Sequence, residues 1–272
     1  MKQLSGKVAV VTGAARGIGR ALAEHFAAEG MHVVLADLDA EAVRDAADDV
    51  RSRGVEAIAV PTDVADAAAV GALATATRDH FGTAHVVCNN AGVGGATRRS
   101  WEVPVDVWEW VLRVNVVGVV NGIQAFVPML LAQDEGHIVN TSSLTGLSSV
   151  PYLAPYSASK HAVVAISTAL FHELAFARAN VGVTVVCPGF TRTGIMTSAP
   201  EHGDDPGAAL VRETFERGVG EGLDPSVVAG LTVEAVRAGQ FLVTTHREVV
   251  ERALDAMKAL VAGGLPSLVT LS

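Results

Sequence analysis

Residues 7–19 read KVAVVTGAARGIG. A run of apolar, mostly β-branched residues leads into Thr12 and a turn that contains Gly13, Gly17 and Gly19, and a helical pattern follows. In a strand–turn–helix unit, glycines let the backbone approach a pyrophosphate at the N-terminus of the helix. The spacing here is G-x-x-x-G-x-G rather than G-x-G-x-x-G, so the turn alone is only weak support for a dinucleotide site.

The same alternation of strand and helix continues along the chain. Helical patterns lie near residues 17–29, 40–53, 66–81, 105–132, 156–179 and 225–238, and Asp224 followed by Pro225 marks the start of the last one. The strand candidates are almost continuously apolar, as in a sheet covered on both faces: KVAVVT, HVVLAD, EAIAVP, AHVVCN, GHIVNT, VGVTVVC and GQFLVTT. The pattern predicts an α/β protein, a doubly wound Rossmann fold with a seven-stranded parallel sheet in a single domain over residues 1–272.

Two segments depart from this alternation. Residues 191–222 are too long for an ordinary strand-to-helix connection and contain clustered glycine, proline and acidic residues, so we expect a mobile substrate lid there. Residues 247–262 have the pattern of an amphipathic helix, with Glu248 and Arg252 one turn apart. We expect this helix to pack on the outside of the domain.

Composition excludes several classes of protein. The 272 residues carry 20 Lys and Arg against 29 Asp and Glu, a formal charge of -9, which has the wrong sign for binding nucleic acid. The N-terminus lacks the pattern of a secretory signal, so we expect a cytoplasmic protein. Cys88 and Cys187 lie in apolar runs and are predicted to be buried thiols.

Two further patterns argue against a membrane span and a metal site. The apolar segment 111–132 has the length of a span, but Arg113, Asn115, Asn121 and Gln124 interrupt it, so a buried helix is predicted and no membrane partner. The nine histidines form no short ligand pattern, so no metal is expected.

The choice of cofactor depends on Asp37 and Arg16. Asp37 ends the second strand eighteen positions past Gly19, close to the spacing at which a carboxylate reaches the adenosine ribose hydroxyls. A carboxylate there also repels a ribose 2′-phosphate, which favours NAD over NADP. Arg16 argues for NADP, because a cation in the glycine turn could reach that phosphate. We give Asp37 more weight, since an exposed arginine can turn toward water.

Tyr156 and Lys160 stand four residues apart at the start of a predicted helix, so their side chains share one face. An ammonium group beside a phenol favours loss of the phenol proton, and we expect Lys160 to lower the pKa of Tyr156. Such pairs are common on helices, however, and this one decides nothing by itself.

Several motifs together make the chain resemble the classical short-chain dehydrogenase/reductase family over about residues 5–245. Thr12-Gly13-x-x-x-Gly17-x-Gly19 is similar to its cofactor turn, and Tyr156-x-x-x-Lys160 to its active site. Other segments that resemble the family are Asn89-Asn90-Ala91-Gly92, Asp63 with Val64, Asn115 in VLRVNVVG, and Pro188-Gly189 followed by Thr191 and Thr193.

The resemblance implies hydride transfer at a nicotinamide, with Asn115, Ser143, Tyr156 and Lys160 as the catalytic residues. Ser142 and Ser143 both end the fifth strand, and Ser143 is chosen because it precedes Tyr156 by thirteen positions, as in the family. Tyr156 would be the general acid or base, Ser143 would orient the substrate oxygen, Lys160 would bind the nicotinamide ribose, and Asn115 would hold a relay water.

The resemblance also implies the residues that contact cofactor and substrate. The expected contacts to NAD are Gly13, Arg16, Gly17, Ile18, Gly19, Asp37, Asp63, Val64, Asn90, Ala91, Gly92, Tyr156, Lys160, Pro188, Gly189, Thr191 and Thr193. The expected contacts to substrate are Ser143, Thr145, Tyr152, Tyr156, Phe190 and Met196, with Gly94, Gly95, Leu147 and Ile195 completing the wall.

These residues predict a small-molecule substrate, a secondary alcohol or ketone with an apolar or alicyclic body. A homotetramer is expected, since helices 105–132 and 156–179 are apolar over most of their circumference. The alternatives are a 3-oxoacyl thioester reductase, a non-catalytic dinucleotide-binding regulator, and a nucleotide-sugar or methyl-transfer enzyme on the same fold.

Overall fold

Seven parallel strands form one sheet, as the sequence predicts. The computed structural model describes residues 1–133, 135–195 and 205–266. The strands are β1 (Val8–Thr12), β2 (His32–Asp37), β3 (Ala57–Pro61), β4 (Val86–Asn89), β5 (Gly136–Thr141), β6 (Val181–Cys187) and β7 (Leu242–Thr244). Their spatial order is β3-β2-β1-β4-β5-β6-β7, so the winding of the sheet reverses between β1 and β4. In a doubly wound sheet a ligand crevice opens at that reversal.

Helices cover both faces of the sheet. They are α1 (Gly17–Ala28), α2 (Ala40–Arg51), α3 (Ala67–Phe81), α4 (Val105–Leu112), α5 (Gly118–Leu131), α6 (Ala154–Phe176), α7 (Pro206–Gly220), α8 (Pro225–Ala238) and α9 (Arg247–Val261). The start of α8 is confirmed: Asp224 accepts a hydrogen bond from the Ser226 amide at 2.9 Å, and Pro225 occupies the first turn.

Three helices differ from the sequence-based prediction. The predicted helix 105–132 is divided into α4 and α5 by a π-helical turn, Arg113–Val117. The predicted helix 156–179 begins two residues earlier, at Ala154, because Pro155 fits the first turn of a helix. Helix α7 is absent from the predicted helices, and it occupies part of the segment 191–222 in which a substrate lid is expected. Its start is an Asp205-Pro206 pair, with Asp205 accepting the amide protons of Gly207 and Ala208.

The core divides into one layer on each face of the sheet. Successive residues of β1 point to opposite faces, so Val11 packs with Leu22 and Phe26 of α1 while Val10 packs with Phe126 of α5. Helices α2 and α8 share the first layer, and α3 and α6 share the second. Cys88 and Cys187 are free and buried, as predicted.

The helical segment Val105–Leu131 is long and apolar enough to cross a membrane by length and composition alone. Core helices of soluble proteins meet the same criterion, and two polar side chains of this segment, Asn115 and Asn121, are buried, whereas Arg113 and Gln124 are exposed. Asn121 donates to the Val64 carbonyl at 2.8 Å, and Asn115 donates to the Val93 carbonyl at 2.9 Å.

His137 on β5 is a buried titratable group away from the crevice. Its ring lies against Gly182, where a Cβ would come within 2.5 Å of Nδ1, and Nε2 is 2.8 Å from the Thr184 hydroxyl. That hydroxyl donates to the Gln240 carbonyl, so His137 is the donor to Thr184. Burial, with a smaller contribution from the charged N-terminus, lowers the pKa of His137 to about 3.

We therefore predict that His137 makes the protein acid-sensitive. The unfolded chain takes up a proton at this residue below pH 6.5 and the folded protein does not, so stability falls as pH decreases toward 3. Between pH 7 and pH 5 the loss from this residue is about 2 kcal/mol. Urea denaturation should show that His137→Gln, which keeps a donor for Thr184, loses less stability over that interval. Equal losses in the two proteins would contradict the prediction.

Candidate active site

The carboxyl ends of β1 and β4 are tied together at the reversal of the sheet. The Thr12 hydroxyl donates to the Cys88 carbonyl at 3.2 Å and accepts the amide protons of Asn90 at 2.9 Å and Ala91 at 3.1 Å. Asn90 Nδ2 donates back to the Thr12 carbonyl at 2.9 Å. These bonds place the Asn90-Ala91-Gly92 segment directly against the glycine turn.

The glycine turn leaves no room for side chains where it meets α1. A Cβ on Gly19 would lie 2.0 Å from the Gly13 carbonyl oxygen. Gly13 and Gly17 have φ of +66° and +56°, a region that favours glycine. A Cβ on Gly17 would meet the Thr193 side chain at 3.1 Å, so the segment after β6 closes over the turn. The amides at the start of α1 thus border a narrow backbone-lined cradle suited to a pyrophosphate.

Two carboxylates occupy the end of β2. Asp37 accepts the amide protons of Ala15 at 3.0 Å and Asp39 at 3.1 Å, so its carboxylate is held at the edge of the cavity. The Asp39 side chain forms an ion pair of 2.9 Å with Arg16, and this arginine remains 62% exposed. Arg16 is therefore paired with a second acidic residue, Asp39, whereas the sequence analysis weighed Arg16 against Asp37 alone.

Two predicted segments border the remaining parts of the cofactor region. Asp63 accepts the Ala65 amide proton at 2.9 Å at the start of the turn into α3. Beyond β6, the Gly189 amide donates to the Thr245 hydroxyl at 2.9 Å, and Thr191 donates to the Gly189 carbonyl at 3.0 Å. Thr245, which the sequence did not point to, thus fixes the Pro188-Gly189 turn.

The two adjacent serines at the end of β5 have different surroundings. Ser142 donates to the Lys160 carbonyl at 2.8 Å and is buried. The Ser143 hydroxyl is hydrogen-bonded to the Tyr156 hydroxyl and also accepts the Thr145 amide proton at 3.2 Å. Ser143 is therefore the serine that faces the tyrosine.

Lys160 and Asn115 lie next to this pair. The Lys160 ammonium lies 5.6 Å from the centroid of the Tyr156 ring and donates to the Thr141 carbonyl at 3.0 Å. The Asn115 amide group is bound to Val93, through both its oxygen and its nitrogen, and donates to the Ser159 hydroxyl at 3.0 Å. The relay water that is expected at Asn115 would therefore bind the second lone pair of the side-chain oxygen, or a main-chain group of the π-helical turn.

Burial dominates the proton affinities of the site. Burial raises the pKa of the Tyr156 phenol, and the hydrogen bond from Ser143 opposes this effect without overcoming it. Burial lowers the pKa of the Lys160 ammonium to about 8. The expectation that Lys160 brings the pKa of Tyr156 below its ordinary value is thus wrong in this structure, because the desolvation of the phenol outweighs other effects.

One cavity of about 640 Å³ connects the glycine turn with Ser143, Tyr156 and Lys160. All the predicted cofactor residues line it, from Gly13 to Thr193, and so do Gly94, Gly95, Thr145, Phe190 and Ile195 from the predicted substrate wall. Met196 lies outside the described residues. The sequence missed eight apolar residues that line it: Leu38, Val93, Trp110, Val114, Leu144, Leu153, Phe215 and Val219.

Tyr152 and Leu147 do not line the cavity, contrary to expectation. Tyr152 has a left-handed φ of +66°, and its hydroxyl points away to hydrogen-bond with Asp205 and Arg99. Asp205 also forms an ion pair with Arg99. Although partial burial acts to raise it, the pKa of the Asp205 carboxyl is held below its usual value by the Tyr152 hydroxyl, two backbone amides and Arg99. This cluster joins the start of α7 to the loop before α6.

Comparison with known proteins identifies the family. A family model described as short chain dehydrogenase matches residues 7–204. The chain belongs to the short-chain dehydrogenase family. It is therefore an oxidoreductase of the Rossmann type, and the glycine turn and cavity fit the nicotinamide dinucleotide that this family uses.

Several relatives extend over nearly the whole chain. The structure of a short-chain dehydrogenase/reductase from Burkholderia phymatum in complex with NAD is 40% identical, with a TM-score of 0.93, and the match covers 98% of this chain and 99% of that one. The 1-deoxy-11-beta-hydroxypentalenate dehydrogenase of Streptomyces exfoliatus is 36% identical over 93% of this chain and 87% of its own. A CLA biosynthesis dehydrogenase/reductase of Lactiplantibacillus plantarum is 29% identical over 98% of each.

Proposed function

We propose that the protein transfers a hydride between NAD(H) and a secondary alcohol or ketone with an apolar or alicyclic body. The observation that carries this proposal is the hydrogen-bonded pair Ser143 and Tyr156, with Lys160 adjacent, in the same cavity as the glycine turn. In this proposal the hydroxyl groups of Ser143 and Tyr156 both bind the substrate oxygen that is oxidised or reduced.

In the direction of oxidation, the chain supplies the base. Ser143 binds the substrate oxygen, and the deprotonated Tyr156 takes its proton as the C–H bond breaks and the C=O bond forms. The nicotinamide, when bound, accepts the hydride, so two electrons and one proton leave with the cofactor and the second proton stays on Tyr156. In reduction, Tyr156 donates that proton to the oxygen as the general acid.

Lys160 assists this proton transfer by its charge. With a pKa of about 8 the Lys160 ammonium is mostly protonated at neutral pH. A cation 5.6 Å from the tyrosine ring stabilises the tyrosinate, which burial alone disfavours. Its contact with the Thr141 carbonyl keeps it at the end of β5.

The contacts of Asp37 and Asp39 support NAD as the cofactor. Asp37 holds a carboxylate at the edge of the cavity, where it would repel a ribose 2′-phosphate, and Asp39 forms an ion pair with Arg16, which could otherwise bind this phosphate. The relative from Burkholderia phymatum is described in complex with NAD, in agreement with this choice.

The wall of the cavity supports an apolar substrate. Beyond the expected cofactor contacts, the cavity is lined mainly by glycines and by the apolar side chains named above, with Asp39, Thr62, Thr141, Ser142, Ser143 and Thr145 as the polar residues. Two arginines that could have bound a carboxylate or phosphate are engaged: Arg99 with Asp205, and Arg192 with Asp224 at 2.7 Å. The Streptomyces relative is named as a dehydrogenase of a hydroxypentalenate, in keeping with an alcohol substrate.

Exposed apolar residues support the proposal of a homotetramer. Val117 and Leu131 near the ends of α5, and Phe171 and Phe176 on α6, are each at least 41% exposed. Pairing these helices with those of a second copy would cover them. We further propose that this assembly is cytoplasmic.

The first prediction concerns cofactor selectivity. NAD should bind at least about tenfold more tightly than NADP, roughly 1.4 kcal/mol, by fluorescence titration. Asp37→Ala should narrow this difference because the repulsive carboxylate is lost, and Asp39→Asn should narrow it by releasing Arg16. Asp45→Asn, on the exposed face of α2, removes the same charge and should leave the ratio unchanged. Tighter binding of NADP to the unaltered protein would refute the choice of NAD.

The second prediction concerns the proton transfer. Tyr156→Phe removes one hydroxyl, so the fold and the affinity for NAD should be retained while the oxidation of cyclohexanol, followed at 340 nm, falls at least about a hundredfold. The oxidation rate of the unaltered enzyme should increase with pH, since the base form of Tyr156 is required. A Phe variant with most of its activity would show that another group carries the proton.

A further inference from the structure

Thr145 has an unusual side chain among those that line the cavity. It lies in the single helical turn Leu144–Gly146 directly after Ser143, and it is 1% exposed. Its hydroxyl oxygen is buried and has no hydrogen-bond partner in the part of the chain that the structure describes. Only its backbone amide is engaged, as the donor to Ser143 Oγ.

Neighbouring hydroxyl groups of similar burial are all paired. Ser142 donates to the Lys160 carbonyl, and Ser159 donates to the Tyr156 carbonyl at 2.7 Å. A buried hydroxyl without a partner is destabilising, whereas valine has the same shape and no such requirement. The fold therefore gives no reason for a threonine at position 145, and a ligand in the cavity does.

We propose that Thr145 binds a second oxygen of the substrate, on the carbon next to the reacting carbon or one carbon further. This inference rests on the proposed function, in which Ser143 and Tyr156 bind the first oxygen. The substrate class becomes an alicyclic or otherwise apolar 1,2- or 1,3-diol, with the corresponding hydroxyketone or diketone in the direction of reduction.

The geometry limits the separation of the two oxygens. The Thr145 amide nitrogen lies 3.2 Å from Ser143 Oγ, and a threonine hydroxyl lies within about 3.8 Å of its own nitrogen, so the two hydroxyls are at most about 7 Å apart. Two substrate oxygens about 3 to 5 Å apart, each about 2.8 Å from its hydroxyl, span that gap. The Thr145 hydroxyl has almost no accessible surface in the empty cavity, so its binding to the second oxygen requires a rotation about χ1 to a staggered position that faces the ligand.

The rest of the wall restricts where polarity is tolerated. The same cavity is lined by Trp110, Val114, Leu153, Phe215 and Val219, and among these side chains only the Trp110 ring nitrogen could bind a third oxygen. The polar groups of the substrate thus cluster near the reacting carbon, while the body of the substrate is hydrocarbon.

The test compares cyclohexanol with cyclohexane-1,2-diol and cyclohexane-1,3-diol as substrates in the presence of NAD. Thr145→Val should lower kcat/KM for the better diol about tenfold more than for cyclohexanol, since only the diol has a second oxygen that loses its partner. Thr145→Ser keeps the hydroxyl and should retain most of the activity toward the diol.

A second readout does not depend on activity. Because the unpaired hydroxyl is removed, Thr145→Val should raise the melting temperature of the protein without substrate by roughly 2 °C. Thr145→Ser, which keeps the hydroxyl and loses a methyl group, should not raise it. If the hydroxyl instead stabilises the fold, Thr145→Val should lower the melting temperature.

The outcomes separate the two proposals. If the unaltered protein oxidises none of the three alcohols, the proposed function is refuted for this class of substrate. If it oxidises them and Thr145→Val lowers kcat/KM for cyclohexanol and diol equally, or lowers the melting temperature, the role of Thr145 is overturned while the proposed function stands.

Discussion

The Thr12 hydroxyl links the two strands between which the sheet reverses its winding. By accepting two amide protons from the segment after β4 and donating one to the Cys88 carbonyl, it fixes the distance between the carboxyl ends of β1 and β4. The glycine turn and the Asn90 segment then form opposite sides of one crevice. Every residue of the proposed site is placed relative to this crevice, because β5 and β6 extend the sheet from β4 and carry Ser143 and the Pro188-Gly189 turn at the same edge.

Within the crevice, burial and charge act against each other. The site buries a phenol and an ammonium group, and burial disfavours the charged form of each. A tyrosinate beside an ammonium is therefore stabilised by its neighbour more than it would be in water, where charges are screened. The proposed reaction uses Tyr156 in both protonation states during one cycle, and the charge of Lys160 opposes the burial that favours the neutral phenol.

Much of the fold followed from sequence because each element has a local cause. The strands are nearly continuous apolar runs, and the Asp224-Pro225 pair marks the start of α8. The same Asp-Pro signal at Asp205 marked α7, but the surrounding glycines and acids of residues 191–222 concealed it. The π-helical turn at Arg113–Val117 has no sequence signature that we can identify.

The site was predictable only where a motif fixes the backbone. The glycine turn and the Tyr156-Lys160 pair line the cavity, as expected, since turn and helix geometry determine where they point. Tyr152 does not, because its left-handed φ turns the side chain toward Asp205, and a sequence pattern does not encode that angle. Trp110 and Phe215 come from elements distant in sequence, and only the packing of α4 and α7 brings them to the cavity.

In the proposed reaction the hydride moves directly between the substrate carbon and the cofactor, and the proton travels separately through Tyr156. The most direct measurement is the oxidation of cyclohexanol carrying deuterium on the carbinol carbon, with the NADH product analysed by mass spectrometry. The account predicts one deuterium in each NADH formed and a slower reaction than with unlabelled alcohol. Deuterium released into water, with unlabelled NADH, would contradict it.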